Sequence, residues 1–249
     1  MKKFFTQLLI FGAIFSGWLI LYQLKIFNAL LVPSPQQVFF SLLNLFSTEK
    51  IINDLWLTFY RMLASLLIGL PAGIIIGLVL GYFQTINKAL NFLIDFIRSI
   101  PSPALIPPFI LLFGLTDLSK IFLAAFISAL VILINTTYGV QNGNKTRIMF
   151  AQSMKLNKFT IFTKIVLPEA LPYISAGARV AISYSLIIIV IGEMLMGGES
   201  GLGKRIIDFQ LIFETSQMYA TIILAGLLGY AVNKLYIFFE TRMIHWAGK

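Results

Sequence analysis

Cysteine is absent from this chain and histidine occurs once, at His245. Disulfide frameworks, thiolate metal centres and histidine-rich metal sites are thereby excluded by inventory, and neither a metal nor a cofactor is expected. Charge is scarce too: 12% of the 249 residues are Asp, Glu, Lys or Arg, against 58% hydrophobic. A mean hydropathy of +0.89 exceeds what one water-soluble core could enclose, so the chain belongs in a membrane. Acids are the rarer sign, 10 against 19 Lys and Arg, for a net charge of +9. In so apolar a chain those cations fit cytoplasmic loops and a membrane lipid surface, not nucleic acid.

What is present is apolar length. Runs of the roughly 20 residues that a helix needs to cross a bilayer lie at about 4–23, 56–82, 89–113, 119–140, 173–196 and 217–239. They predict an all-α integral membrane protein with six transmembrane helices. With both termini cytoplasmic, the inside carries Lys2, Lys3, Lys88, Lys145, Arg147, Lys155, Lys158, Lys164, Arg242 and Lys249. The outside carries Lys25, Lys50, Lys120, Lys204 and Arg205. That asymmetry obeys the positive-inside rule and supports a multi-pass protein with both ends facing the cytoplasm. The first run follows Lys2 and Lys3 as a signal peptide would, yet no small-x-small cleavage site follows, so it reads as a retained helix. Leu31 to Phe46 opens on a Pro-Ser-Pro turn and continues as a short amphipathic helix suited to the outer interface.

Several patterns carry candidate roles. Ser65, Gly69, Gly73, Gly77 and Gly81 recur every four residues on one face, a small-residue seam that packs either within the chain or against a second copy. The third run is interrupted by Arg98 to Pro108, where Pro101, Pro103, Pro107 and Pro108 free backbone carbonyls. Such a break at membrane depth either borders a water-filled path or is a plain kink. Arg98 stands three residues after Asp95 and can pair with it. Asn135 and Thr136 in the fourth run, and Ser183, Tyr184 and Glu193 in the fifth, either touch a solute or bond neighbouring helices. Between these runs lies a basic amphipathic insertion, Arg147 to Pro168. Asn157 is placed to cap the second of two short helices, Pro168 to close it, and Pro172 to open the next span. The insertion either lies on anionic lipid or docks a cytoplasmic partner.

Two enzyme-like motifs need weighing. Gly198 to Lys204 fits the first seven places of a phosphate-binding loop, but Arg205 stands at the Ser/Thr position and no strand precedes it. Gly198 to Gly201 also fits the G-x-S-G of an intramembrane serine protease. That chemistry needs a histidine beside the serine, and His245 is expected on the opposite side of the membrane.

The order of LVPSPQQVF, RSIPSPALIPPFILLFGLTDLSKIF, ILINTTYGV, KIVLPEALPYI and GGESGLGKRI resembles the membrane-spanning permease subunit of binding-protein-dependent ABC importers. The likeness is to the subgroup handling nitrate, taurine, alkanesulfonates and thiamine precursors. It implies a type I ABC importer permease fold: an N-terminal transmembrane helix in 1–30, then a permease core in 31–249. A cytoplasmic coupling loop is expected at about 143–170, formed by the family's EAA motif. Aligned back from Pro168, Glu-Ala-Ala falls on Met149, Phe150 and Ala151, so the second Ala alone matches; the family's Gly falls on Lys155, and Asn157 is expected to supply the backbone freedom. The resemblance further implies a homodimer, a separate cytoplasmic ATPase engaged through Ala151, Lys155, Asn157, Phe159, Phe162 and Pro168, and an extracytoplasmic solute-binding protein. The chain itself would catalyse nothing. An ion-coupled secondary transporter is the alternative reading.

Overall fold

Helices make up all regular structure in residues 2–28 and 30–244, the part of the chain that the computed structural model describes. The first is α1 (Lys2–Gln23), joined by a turn to α2 (Pro35–Leu45). α2 starts where the sequence signals it: Ser34 accepts from the Gln37 amide, and the Gln37 side chain accepts from Ser34 N at 2.9 Å, a capping box. Val38 and Leu45 are then buried in a cluster with Ile51, Leu202 and Leu224.

The centre is a three-helix layer of α3 (Glu49–Tyr82), α6 (Asp117–Gln141) and α9 (Leu167–Leu195). Between the first two lie α4 (Gln84–Ser99), a 3₁₀ turn at Ser102–Leu105 and α5 (Ile106–Phe113). After α6 come two short helices, α7 (Lys145–Ser153) and α8 (Lys158–Ile161). The chain ends with α10 (Leu202–Leu211) and α11 (Thr215–Met243). Among the described residues, four segments are long and apolar enough to cross a membrane: Glu49–Tyr82, Asp117–Gln141, Lys158–Leu195 and Thr215–Met243. α4 and the turn with α5 add a fifth if their 94° bend is counted as one broken span.

The glycine seam faces α6 of the same chain. A Cβ on Gly69 would lie 2.5 Å from the Ala125 carbonyl oxygen, one on Gly77 2.6 Å from Thr136 Cβ, and one on Gly81 2.5 Å from Val140 Cβ. Gly73 meets the Ala129 backbone and Ile132 in the same way. About three turns of α3 therefore sit backbone to backbone on α6, close enough for Thr137 Oγ1 to donate to Gly77 O at 3.2 Å.

Two boundaries differ from the apolar runs. α3 begins at Glu49 rather than near 56, because Asp54 is buried by ion pairing rather than by apolarity. Pro168 was expected to close the second short helix, and it does not. The chain runs on from Lys158 to Leu195 as one 38-residue rod. The rod passes Pro168 through a π segment, Phe162–Val166, in which Leu167 N bonds Phe162 O. Proline has no N–H and crowds the carbonyl four residues back, so widening the preceding turn lets the helix continue. Pro172 likewise lies inside α9 rather than at its start.

Candidate functional site

The basic insertion folds as helix, turn, helix. Asn144 caps α7 by accepting from Thr146 N and Arg147 N at 3.0 and 3.3 Å. Glu169, from the first turn of α9, bonds Asn144 N at 2.7 Å and Arg147 Nη1 at 2.8 Å, tying the loop's entry to the rod. Ala151 is 2% exposed, and α7 ends with Leu156 N bonded to Ala151 O and Lys155 N to Gln152 O. This is a Schellman closure, whose penultimate donor takes the left-handed conformation. Lys155 is that residue, with φ 54. The backbone form that the family's glycine would supply is thus adopted by Lys155 itself. Asn157, expected to provide that freedom, is extended at φ −70 and instead caps α8, accepting from Thr160 N at 2.6 Å.

Beyond the turn the apolar side chains divide. Phe162 packs edge-on to Tyr82 at 5.6 Å, fastening the rod to the end of α3. Phe159 is 76% exposed, and Met149 and Phe150 are 67% and 66% exposed. They are exposed apolar side chains on a segment that also carries Lys145, Arg147, Lys155, Lys158 and Lys164.

The candidate path residues do not converge. Arg98 pairs with Asp95 at 3.0 Å on a half-exposed face of α4, beside Pro101 at the bend and Pro103 in the 3₁₀ turn. Asn135 spends its amide on Val131 O at 2.8 Å and faces Gly177 of α9, whereas Thr136, on the next position, is fully buried toward Gly77 of α3. Ser183 accepts from Asn233 Nδ2 of α11 at 2.9 Å, and Tyr184 is exposed. Glu193 has no exposed surface at all.

Glu193 is instead the centre of a buried ionic clamp that joins the start of α3, the start of α6 and the end of α9. Arg61 Nη1 donates to Glu193 Oε1 at 2.6 Å and to Ser200 O at 3.0 Å, while Nη2 reaches Asp117 at 2.8 Å. Thr58 Oγ1 donates to Glu193 at 2.9 Å. The glycine-rich segment closes the arrangement with backbone amides: Gly201 N to Asp54 at 2.7 Å, Leu202 N to Thr58 at 2.9 Å and Gly203 N to Glu193 at 2.9 Å. Arg205 pairs with the other oxygen of Asp54, and Lys120, 2% exposed, lies 3.4 Å from Asp117. Three carboxylates thus meet three cations, which is the condition for burying charge at tolerable cost. The amides a phosphate would need are already taken by this chain's own side chains, so the loop-like motif is a clamp rather than a nucleotide cradle. His245, invoked for the protease reading, lies outside the described residues.

Asp54, Thr58 and Arg61 are not among the sequence-predicted site residues. Their spacing of four and three places them on the same face as Ser65 and the glycine seam, and that polar stripe was the available signal.

The family described as "Binding-protein-dependent transport system inner membrane component" matches residues 69–245. The chain belongs to that family. It is an ABC importer permease component, a multi-pass membrane protein of a transport system. The permease is 32% identical over 184 residues to the nitrate import permease protein NrtB of Leptolyngbya laminosa, covering 74% of this chain and 66% of that one. With the taurine transport system permease protein TauC of Escherichia coli K12 it shares 25% identity, over 96% of this chain and 88% of the relative. Among solved structures, an ABC transporter that imports the acidic polysaccharide alginate matches all of the permease and 97% of its own chain, with a TM-score of 0.64 at 17% identity. The inward-facing MetNI methionine ABC transporter matches 80% and 97%, with a TM-score of 0.62 at 20% identity. These likenesses at low identity establish the fold: all-helical, with the architecture of ABC importer permeases.

Proposed function

We propose that the permease lines the path of a small solute, with α7 and α8 as the element through which a separate cytoplasmic ATPase drives it. One observation carries this reading: α8 is continuous with α9, so a force on the exposed Phe159 end is delivered along an unbroken rod from Lys158 to Leu195. At about 1.5 Å per residue that rod is roughly 57 Å long, enough to cross the bilayer and project from it. Its far end is gripped by the clamp, where Glu193, Arg61 and Asp117 tie three helices together. Motion of the loop is therefore shared by α3, α6 and α9 rather than dissipated in one helix.

In this reading α1 is a sixth crossing and residues 1–30 a peripheral helix on a permease core of 31–249. Both termini are cytoplasmic in this reading, which the charge asymmetry supports. Two copies surround one pathway, lipid covers the outer faces, and a solute-binding protein docks on the clamp side. The bend between α4 and α5, with Arg98, Pro101 and Pro103, remains the candidate lining, because its backbone lacks helical partners where the two axes diverge by 94°. Asn135, Ser183 and Tyr184 are secondary candidates, and Glu193 and Thr136 are assigned to packing. The solute class follows the relatives: small anions such as nitrate or sulfonates.

The test is Phe159→Asp. An exposed ring contributes little to the fold, so the variant should insert and unfold as the parent does while losing ATP-driven uptake and ATPase co-purification. Undiminished uptake would reject the docking role. Uptake in proteoliposomes by an ion gradient alone, without an ATPase, would favour the secondary transporter.

A further inference from the structure

At the end of α3 nearest the basic loop, two hollows meet. One is an apolar slot of about 450 Å³ between the last two turns of α3 and the rod, lined by Ile75, Leu78, Val79, Phe83, Phe159 and Phe162. The other is a hollow of about 260 Å³ with a largely apolar wall, to which Gln84, Gln141, Lys145, Gln152 and Lys158 bring polar groups. Tyr82, Phe162 and Lys158 belong to both walls, so the hollows adjoin. Neither Lys145 nor Lys158 makes an ion pair among the described residues, and no carboxylate lines either hollow. Glu169, the acid on the adjoining helix, is taken by Arg147.

We propose that this composite site binds one anionic glycerophospholipid of the cytoplasmic leaflet, an acyl chain in the slot and the phosphate at Lys145 and Lys158. The inference rests on the cytoplasmic placement of the loop given above. The chemistry matches at both ends. The slot lies against the last turns of a helix whose apolar stretch reaches a mean hydropathy of 2.5, and aromatic Tyr82 and Phe83 line it. Lysine stems cover apolar wall while their ammonium groups reach the headgroup layer, and glutamine amides offer neutral donors to phosphate oxygens. An apolar segment of a protein partner would satisfy the slot but leave two cations facing nothing. The lipid would also touch Phe159 and Phe162, the residues on which the proposed coupling element turns, so lipid charge would set how firmly α8 is held.

The full-length chain, purified in mild detergent doped with phosphatidylcholine and phosphatidylglycerol at three to one, tests this by native mass spectrometry. We expect one phosphatidylglycerol retained per chain in preference to phosphatidylcholine. Lys145→Gln combined with Lys158→Gln should lower that preference about 25-fold, each near-surface lysine being worth about fivefold. Both lysines are exposed, so this variant keeps the fold. Val79→Trp, which fills the slot, should abolish retention of either lipid, with a thermal midpoint confirming that it is folded. Equal retention of the two lipids, an unchanged lysine variant, or displacement of phosphatidylglycerol by equimolar glycerol 1-phosphate would overturn the site. So would efficient disulfide cross-linking of Val79→Cys between two copies in this cysteine-free chain. Impermeant maleimide separates the two readings: labelling of Lys145→Cys in intact cells defeats the orientation, whereas protection without lipid preference defeats the lipid site alone.

Discussion

Replacing Gly77 by Ala adds a single methyl group, yet the structure assigns it a definite sign. The new Cβ would stand 2.6 Å from Thr136 Cβ and 2.8 Å from Leu133 O. Carbon atoms rest at about 3.5–4.0 Å, so α3 and α6 must separate locally by roughly 1 Å. A gap of that size forfeits about half of each dispersion contact along the seam, and in lipid there is no compensating hydrophobic term. Overpacking of this kind costs about 1–3 kcal/mol, while alanine's better helix propensity returns about 1 kcal/mol. The net expectation is a loss centred near 1 kcal/mol, about 0–2 kcal/mol in all. Gly226→Ala is the control. Gly226 also lies within a helix, α11, but its Cβ would meet nothing within 4 Å. There the propensity gain stands alone, about 0.5–1 kcal/mol of stabilisation. Thermal unfolding or titration with a denaturing detergent, followed by tryptophan fluorescence, reads both variants. Shifts of the same sign at the two positions would refute the packing argument, and a neutral Gly77→Ala would show that α6 yields where the seam requires it to be fixed.

Two further outcomes are expected. Lys155→Gly removes a side chain from a left-handed residue at φ 54 and should stabilise the loop by about 1 kcal/mol, whereas Lys155→Val should weaken ATP-driven uptake at unchanged expression. Equal behaviour of the two variants would mean that the turn conformation does not matter. Arg61→Ala strands Glu193 as an unpaired buried charge and should cost about 3–5 kcal/mol, with part of the loss recovered in Arg61→Met/Glu193→Met; strictly additive thermal shifts in a double-mutant cycle would show that the pair is not coupled.

Much of the fold was readable because a membrane leaves few options. Apolar length alone located the spans within a few residues for α6 and α11, since a helix is the simplest way to satisfy backbone groups in lipid. The two misplaced boundaries share a cause. Hydropathy treats polar residues as the end of a span, but Asp54 is buried by Arg205 and Gly201, and the helix ahead of Leu167 is held by Ile161 and Val166, buried with Val140, Ala151 and Ala170. α10 was missed for the same reason: LGKRIIDFQL is neither long nor apolar enough to register, and it is a helix because Asp54, Thr58 and Glu193 occupy its first amides.

The family, the loop and the four-residue glycine spacing were properties of the one-dimensional string: order of motifs, residue size and period are all local quantities. Which helix the glycines meet depended on residues 60 positions apart, as Thr137 and Gly77 are, and the burial of Glu193 on a partner, Arg61, 132 positions away. Charge is neutralised by proximity in space, and a sequence records proximity only along the chain.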